Sequence, residues 1–244
     1  MNVSRRAGSA LLATALGLGL ATGCGDAADQ TLPLTGLVLP SASVPAGYQV
    51  VPVPVDDLLS ANRQTLEQAT TVAFSPPVCK PTADAEFSPQ LNTDNTVLLV
   101  AESDTATLSE VITTVRRDLD ADRRATTGPC RVVTVVPTKG TLAGAQIVTS
   151  RREISVPHSD EVEQAVVVRS DTVTTLVDGQ YRVRSALLGS ALVRRPNGAT
   201  VTVSVNVATR DLSARPEAPT QIAPPMDEDE YLTLFDEAIA RAAR

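Results

Sequence analysis

The sequence predicts an α+β domain with a twisted, mainly antiparallel sheet of about five to six strands and helices packed on one face. Three observations predict this class. Segments rich in Val, Thr and Ile, which favour strands, fill residues 131–209. Helical spacing of apolar residues occurs before and after that region, so helices and strands are segregated along the chain. Short turn sequences between the strands favour antiparallel pairing.

The composition of the 244-residue chain limits its core and its partners. A chain of this size can fold around a single hydrophobic core. Trp is absent and aromatic residues make up 2% of the sequence, so the core must consist of Val, Leu, Ile and Ala. The net charge is −7, and an acidic surface repels phosphate backbones. We therefore expect no nucleic-acid partner.

The N-terminus resembles a bacterial lipoprotein signal. Arg5 and Arg6 precede an apolar run that is too short to cross a bilayer. The letters LATG before Cys24 resemble a lipobox, with the leucine one position further from the cysteine than usual. We expect residues 1–23 to be a signal peptide and Cys24 to be the mature N-terminus, lipidated with diacylglyceryl and acyl groups such as palmitate. The alternatives are an ordinary secretory signal, which would make the protein secreted, and twin-arginine export.

A lipid on Cys24 would anchor the protein to the extracytoplasmic face of the cell membrane. Residues 24–45 are rich in small, polar and proline residues, which predicts a flexible tether. About 20 extended residues reach at most roughly 70 Å. Residues 46–244 are then expected to form one α+β domain.

The cysteine count favours a disulfide between Cys79 and Cys130. If Cys24 carries lipid, these two remain as a pair in an oxidising compartment. Closing a loop of about 50 residues would stabilise the fold by up to roughly 4 kcal/mol. A metal site would need more ligands than two cysteines and one histidine, and a reactive thiol has no supporting motif. We expect no metal and no cofactor.

The first half of the domain is predicted to contain two helices and one strand. Apolar spacing predicts a helix over residues 56–70, which ends before the prolines of FSPPVCKP. A compact apolar run predicts a buried strand over residues 95–103. A second helix is predicted from Thr107, which has capping-box spacing to Glu110, up to Gly128. Its apolar face would comprise Leu108, Val111, Ile112, Val115 and Leu119.

The second half is predicted to be a series of strands followed by a helix. Asp178 with Gly179, and Pro196 through Gly198, predict hairpin turns. Residues 201–207 alternate Val with Thr, Ser and Asn, which predicts one buried face and one wet face. Acids begin and arginines end the last predicted helix, residues 227–244. The strands are expected at residues 131–136, 146–156, 162–169, 172–177, 180–193 and 199–209.

Residues 55–244 resemble a known family. Ser75, Pro76, Pro77 and Cys79, followed by a helix, Cys130, successive strands and a last helix, look like the extracellular sensor domain of mycobacterial PknH-type serine/threonine kinases and related actinobacterial lipoproteins. Those domains usually carry a second cysteine pair and tryptophans, which this chain lacks. The resemblance implies an extracytoplasmic ligand-sensing role.

Residues that could carry catalysis are few. His158 is the only histidine, in VPHSDE, and its sequence neighbours Ser159 and Asp160 do not by themselves make a catalytic triad. A nucleophile-elbow motif and a phosphate-binding loop are absent from the sequence. The acidic residues 227–230 fit a helix start better than a cation site. We therefore expect a protein that is not an enzyme, and a hydrolase using His158 is the weakest alternative.

A small apolar ligand or an envelope protein is the expected partner. A cavity lined by Leu and Val would suit an apolar ligand, and residues 181–193, with Leu187, Leu188 and Gly189, form its candidate wall. The alternatives are that these leucines belong to the core, or that an exposed sheet face binds another protein.

We predict that Cys24→Ala releases the folded domain from the membrane, because the variant lacks the thiol that would carry the lipid. Fractionation of cells followed by immunoblotting measures this, with the wild-type protein as the control that keeps the anchor. Retention of Cys24→Ala in the membrane fraction would contradict the predicted anchor.

Overall fold

A computed structural model of the chain describes residues 33–80, 82–156, 159–210 and 213–244, with the side chains of residues 82 and 83 excluded. The predicted signal peptide, Cys24 and His158 therefore lie outside the described residues. Within those ranges, no helix is long and apolar enough to cross a membrane.

The described residues form one antiparallel sheet of nine strands, in the order β1-β3-β4-β9-β8-β7-β6-β5-β2. The strands are β1 Gln49–Val51, β2 Ala73–Ser75, β3 Thr96–Glu102, β4 Ala106–Thr113, β5 Val132–Val136, β6 Gln146–Ile154, β7 Val162–Thr175, β8 Tyr181–Arg194 and β9 Thr200–Thr209. The helices are α1 Val55–Thr70, α2 Thr82–Phe87, α3 Leu119–Thr126 and α4 Glu228–Ala242. The α+β class is confirmed, but the sheet is larger than the expected five to six strands.

Three strands account for the difference in number. The edge strands β1 and β2 have three residues each, too few for a recognisable alternation in the sequence. The third is β4, which was predicted as the start of a helix. In the opposite direction, the two strands predicted over residues 162–177 are one continuous strand, β7.

The helix prediction over residues 107–128 is wrong for its first half. Leu108 and Ile112 are fully buried, and burial along β4 alternates up to its last residues as it does on a strand. β4 lies between β3 and β9 and pairs with both along its whole length, so tertiary pairing overrides the helical spacing. The helix begins only at Leu119, where the Asp118 carboxylate accepts a hydrogen bond from the Ala121 N–H at 2.8 Å.

Other local predictions are confirmed. Gly179 and Gly198 have φ of +84° and +80°, as tight turns require, and each joins a pair of antiparallel strands. Helix α1 matches its predicted range within one residue. At the start of α4, the Asp227 carboxylate accepts hydrogen bonds from two backbone N–H groups. The apolar face of α4 is buried and includes Tyr231, Phe235, Ala238, Ile239 and Ala242.

Helices cover both faces of the sheet, whereas the sequence predicted one face. Leu187 and Val167 belong to the core that packs against α4. Leu192 and Val166 belong instead to a cluster that contains Leu119 of α3. Successive strand residues point to opposite faces, so α4 and α3 lie on opposite sides of the sheet.

The segment before β1 is part of the domain, which shortens the predicted tether. Leu37 and Leu39 are 0% and 1% exposed and lie in the core with α4. The Leu39 N–H donates to Glu110 Oε2 at 2.8 Å, and Arg241 Nε donates to the carbonyl of Gly36 at 2.9 Å. The expected tether, residues 24–45, is therefore wrong from residue 33 onward, because the apolar patch of residues 34–39 has a core to enter.

Glu110 is a buried carboxylate beneath this segment. It is 0% exposed, and its Oε1 atom has no hydrogen-bond partner. Burial raises the pKa of Glu110 to about 7, and this effect outweighs the lowering by the Leu39 N–H and by Arg241. The folded protein thus favours the neutral carboxyl group more than the unfolded chain does.

We predict that the free energy of unfolding falls as the pH rises from about 4.5 to about 7, because the folded state holds a proton that the unfolded chain has lost. The contribution of Glu110 is about 3 kcal/mol at most. Urea unfolding at pH 5 and pH 8 measures it. Glu110→Gln should weaken this pH dependence, whereas the exposed control Glu217→Gln should retain it. Equal pH dependence in both variants would contradict the assignment to Glu110.

Candidate ligand-binding cavity

A cavity of about 420 Å³ lies between one face of the sheet and the first three helices. Its lining includes residues from strands β4, β6, β7, β8 and β9 and from helices α1, α2 and α3. This is the face of the sheet opposite α4. The tightly packed core is therefore on one side of the central strands, and the open volume is on the other.

Two rows of side chains across β4, β9, β8 and β7 form the floor of the cavity. Each row follows the register of the four strands, so neighbours in a row are directly paired. The first row is Ser109, Asn206, Leu188 and Val168, and the second is Val111, Ser204, Ser190 and Val166. The hydroxyls of Ser190 and Ser204 lie 3.0 Å apart within hydrogen-bonding distance. The floor therefore offers an apolar surface interrupted by hydrogen-bonding groups.

Helix α1 covers the floor without packing into it. None of its residues is buried. The side chains that line the cavity recur at helical spacing, which places them on one face of α1. They are Leu58, Asn62, Thr65, Leu66 and Ala69. An amphipathic helix whose apolar face borders a void lacks the contacts that normally hold such a helix in a core.

Arg117 closes part of the wall with two carboxylates. Its guanidinium donates to Asp84 Oδ1 at 2.6 Å and to Asp122 Oδ1 at 2.8 Å, and it lies 4.8 Å from the centroid of the Phe87 ring. Burial lowers the pKa of Arg117, but the hydrogen bonds and charges of Asp122 and Asp84 raise it further, so the net shift is upward. The arginine is thus permanently charged and paired with two carboxylates, and it connects α2 with α3.

Arg151 is the second arginine of the lining, and its charge is not paired in this way. Its guanidinium donates to the carbonyl of Cys130 at 3.2 Å. Among the described residues, no carboxylate lies within salt-bridge distance of it, whereas the neighbouring Arg152 pairs with Glu228. Burial lowers the pKa of Arg151, as desolvation of an unpaired cation does.

Cys79 and Cys130 are placed as a disulfide requires. Their Cα atoms are 5.4 Å apart, both residues are buried, and Val133 packs against them. Cys79 also lines the cavity, and Cys130 supplies the carbonyl that Arg151 contacts. The cysteine pair thus borders the cavity and holds the backbone at Cys130, whose carbonyl accepts the hydrogen bond from Arg151.

The structure divides the candidate wall predicted from the sequence. Leu187 is fully buried in the core with α4, as the core alternative proposed. Leu188 lines the cavity and is 39% exposed. A Cβ on Gly189 would lie 2.5 Å from the Tyr231 hydroxyl, so this glycine allows α4 to approach the sheet.

The acidic residues 227–230 cap and begin α4. In the described part of the chain, no cluster of His, Cys, Asp or Glu could hold a metal.

Sequence reasoning missed both arginines of the lining. Arg117 was interpreted as part of a long helix, whereas it precedes α3. Arg151 lies on β6, where the letters SRRE place it on the face opposite Arg152. The sequence does contain a signal for Arg151: it is an arginine at a strand position whose side chain points to a covered face of the sheet.

Fold and lining together define an α+β domain with a partly open cavity on the face of its sheet opposite α4. No protein-family model matches the chain, and no curated protein matches it. Among solved structures, the fold is similar to that of an uncharacterised protein from Mycobacterium smegmatis, the Rv0999 ortholog. The two chains are 13% identical, with a TM-score of 0.50 over 88% of this chain and 99% of the other. At this identity the likeness concerns the fold alone, which therefore occurs in a mycobacterial protein.

We predict that Gly189→Ala lowers the free energy of unfolding by about 1–3 kcal/mol, because the added methyl group overlaps with Tyr231 and Phe235. Urea unfolding measures the change. Ser190→Ala is the matched control on the cavity face, where losing the hydroxyl contact should cost below about 1 kcal/mol. Equal effects of the two substitutions would show that α4 does not depend on close approach at this glycine.

Proposed function

We propose that the mature protein is a membrane-anchored extracytoplasmic lipoprotein whose domain binds a small, largely apolar molecule without catalysing a reaction on it. The observation that carries this proposal is the cavity between α1 and the sheet. Its volume of about 420 Å³ is in the range of small-molecule sites. Its lining combines an apolar surface with a few converging polar groups, as such sites do.

The weak packing of α1 supports binding rather than a purely structural role. A helix with no buried residue contributes little core stability, and the cavity beneath it forfeits van der Waals contacts on both walls. A ligand in the cavity would restore those contacts. The free energy gained on binding would then include the docking of α1 onto its ligand.

The proposed location rests on the N-terminal sequence. The lipobox-like letters before Cys24 support an anchor, and the pairing of Cys79 with Cys130 suits an oxidising compartment. The resemblance to the sensor domains of PknH-type kinases supports a sensing role in the same compartment. Binding of a ligand beneath α1 would then be the event that is sensed.

Native mass spectrometry of the full chain, purified from its own envelope, tests binding. We expect the wild-type protein to retain a small molecule in addition to its anchor. Leu188→Trp should lose it, because the larger side chain on the floor occupies the cavity. Val177→Trp is the matched control, since Val177 is 78% exposed and does not line the cavity.

Two outcomes would overturn the proposal. Absence of any retained molecule in the wild-type protein would show that the cavity holds no tightly bound ligand. Equal retention by Leu188→Trp and the wild-type protein would place the ligand outside the cavity.

A further inference from the structure

The two arginines that line the cavity differ in their ion pairing. Arg117 is neutralised by Asp84 and Asp122, whose carboxylates accept hydrogen bonds from its guanidinium. Arg151 has one described polar contact, the carbonyl of Cys130, for five guanidinium N–H donors. Among the described lining residues, it is therefore the cation that no carboxylate neutralises.

Arg151 lies at the margin of the floor. It pairs with Ser170 on β7, and Ser170 pairs with Ala186 on β8. This row is the next one along the sheet after the floor row that contains Leu188 and Val168. The Cys130 carbonyl accepts a hydrogen bond from the guanidinium at 3.2 Å, which favours this position of the side chain beside the floor.

We propose that the ligand is an anionic amphiphile, with its carboxylate or phosphate bound by Arg151 and its apolar body lying on the floor beneath α1. This inference rests on the proposed function and adds the chemical class of the ligand. An anion would complete the hydrogen bonds of a partly buried guanidinium, which a neutral ligand would leave unmade. The downward shift in the pKa of Arg151 reports the same desolvation.

The paired carboxylates of the wall argue against a cationic ligand. Asp122 accepts two hydrogen bonds from Arg117, and Asp84 accepts a third. A ligand cation would have to compete with a guanidinium that is already in place. An anion at Arg151 displaces no existing ion pair within the described residues.

Isothermal titration calorimetry tests the inference with three probes: decanoate, 1-decanol and acetate. Decanoate carries both the chain and the charge, and each of the others lacks one of them. The full chain is used, with Cys24→Ala in every sample so that no lipid anchor competes. We expect decanoate to bind the parent protein about 10- to 100-fold more tightly than 1-decanol, and acetate to bind far more weakly than either.

Arg151→Gln should abolish the preference for decanoate and leave the affinity for 1-decanol unchanged, which also shows that the variant is folded. Arg151→Lys should retain part of the preference, because the charge remains while the planar donor geometry is lost. Arg152→Gln is the matched control, since Arg152 lies on the opposite face of β6 and pairs with Glu228. It should behave as the parent protein does.

The outcomes separate this inference from the proposed function. Equal binding of decanoate and 1-decanol, unchanged by Arg151→Gln, would overturn the anionic class while leaving the cavity as a binding site. Acetate binding as tightly as decanoate would also overturn it, because the chain would then contribute nothing. Failure of both decanoate and 1-decanol to bind would overturn the inference together with the proposed function.

Discussion

The difference between the two faces of the central strands is the constraint on which the rest of the structure depends. Along β9, four valines point towards α4 and are at most 1% exposed, while Ser204 and Asn206 point to the other side. The valine face can exclude water completely, and Gly189 lets the aromatic rings of α4 reach it. On the other face, Leu119 of α3 packs against the part that contains Val166 and Leu192, whereas Ser204 and Asn206 border the cavity. A cavity beneath a loosely held helix is the arrangement that this pattern permits.

Local sequence signals predicted the elements that depend on local chemistry. The turns at Gly179 and Gly198 require positive φ, and α4 begins at an aspartate cap, so a few residues determine each of them. The alternation of β9 likewise predicted one buried and one wet face. It did not predict that α1 would cover the wet face, because local alternation does not indicate which helix packs over a sheet. The wall around Leu187 and Leu188 was predicted as a unit, but adjacent strand residues necessarily face different sides.

The errors share one physical origin, which is that pairing with distant strands decides the conformation of ambiguous segments. The spacing of Leu108, Val111 and Ile112 fits one face of a helix and equally fits the two apolar faces of a central strand. Only the presence of β3 and β9 on either side selects the strand. The same holds for residues 34–39: their short apolar pattern does not predict burial unless the core into which they pack is known. Arg151 was not predicted as a lining residue, because whether its charge is paired depends on which carboxylates the fold brings near it.

The packing of residues 37 and 39 against α4 joins the beginning of the domain to its end. Leu37 and Leu39 share a core with Tyr231 and Phe235, and about 200 residues separate the two groups. Such contacts have very high contact order and form only when both ends of the chain are present. If the chain is exported N-terminus first, as its proposed signal implies, the partner of its earliest core residues emerges last. The valine face of the sheet would then stay uncovered until α4 arrives, and exposed apolar surface of this kind is prone to aggregate.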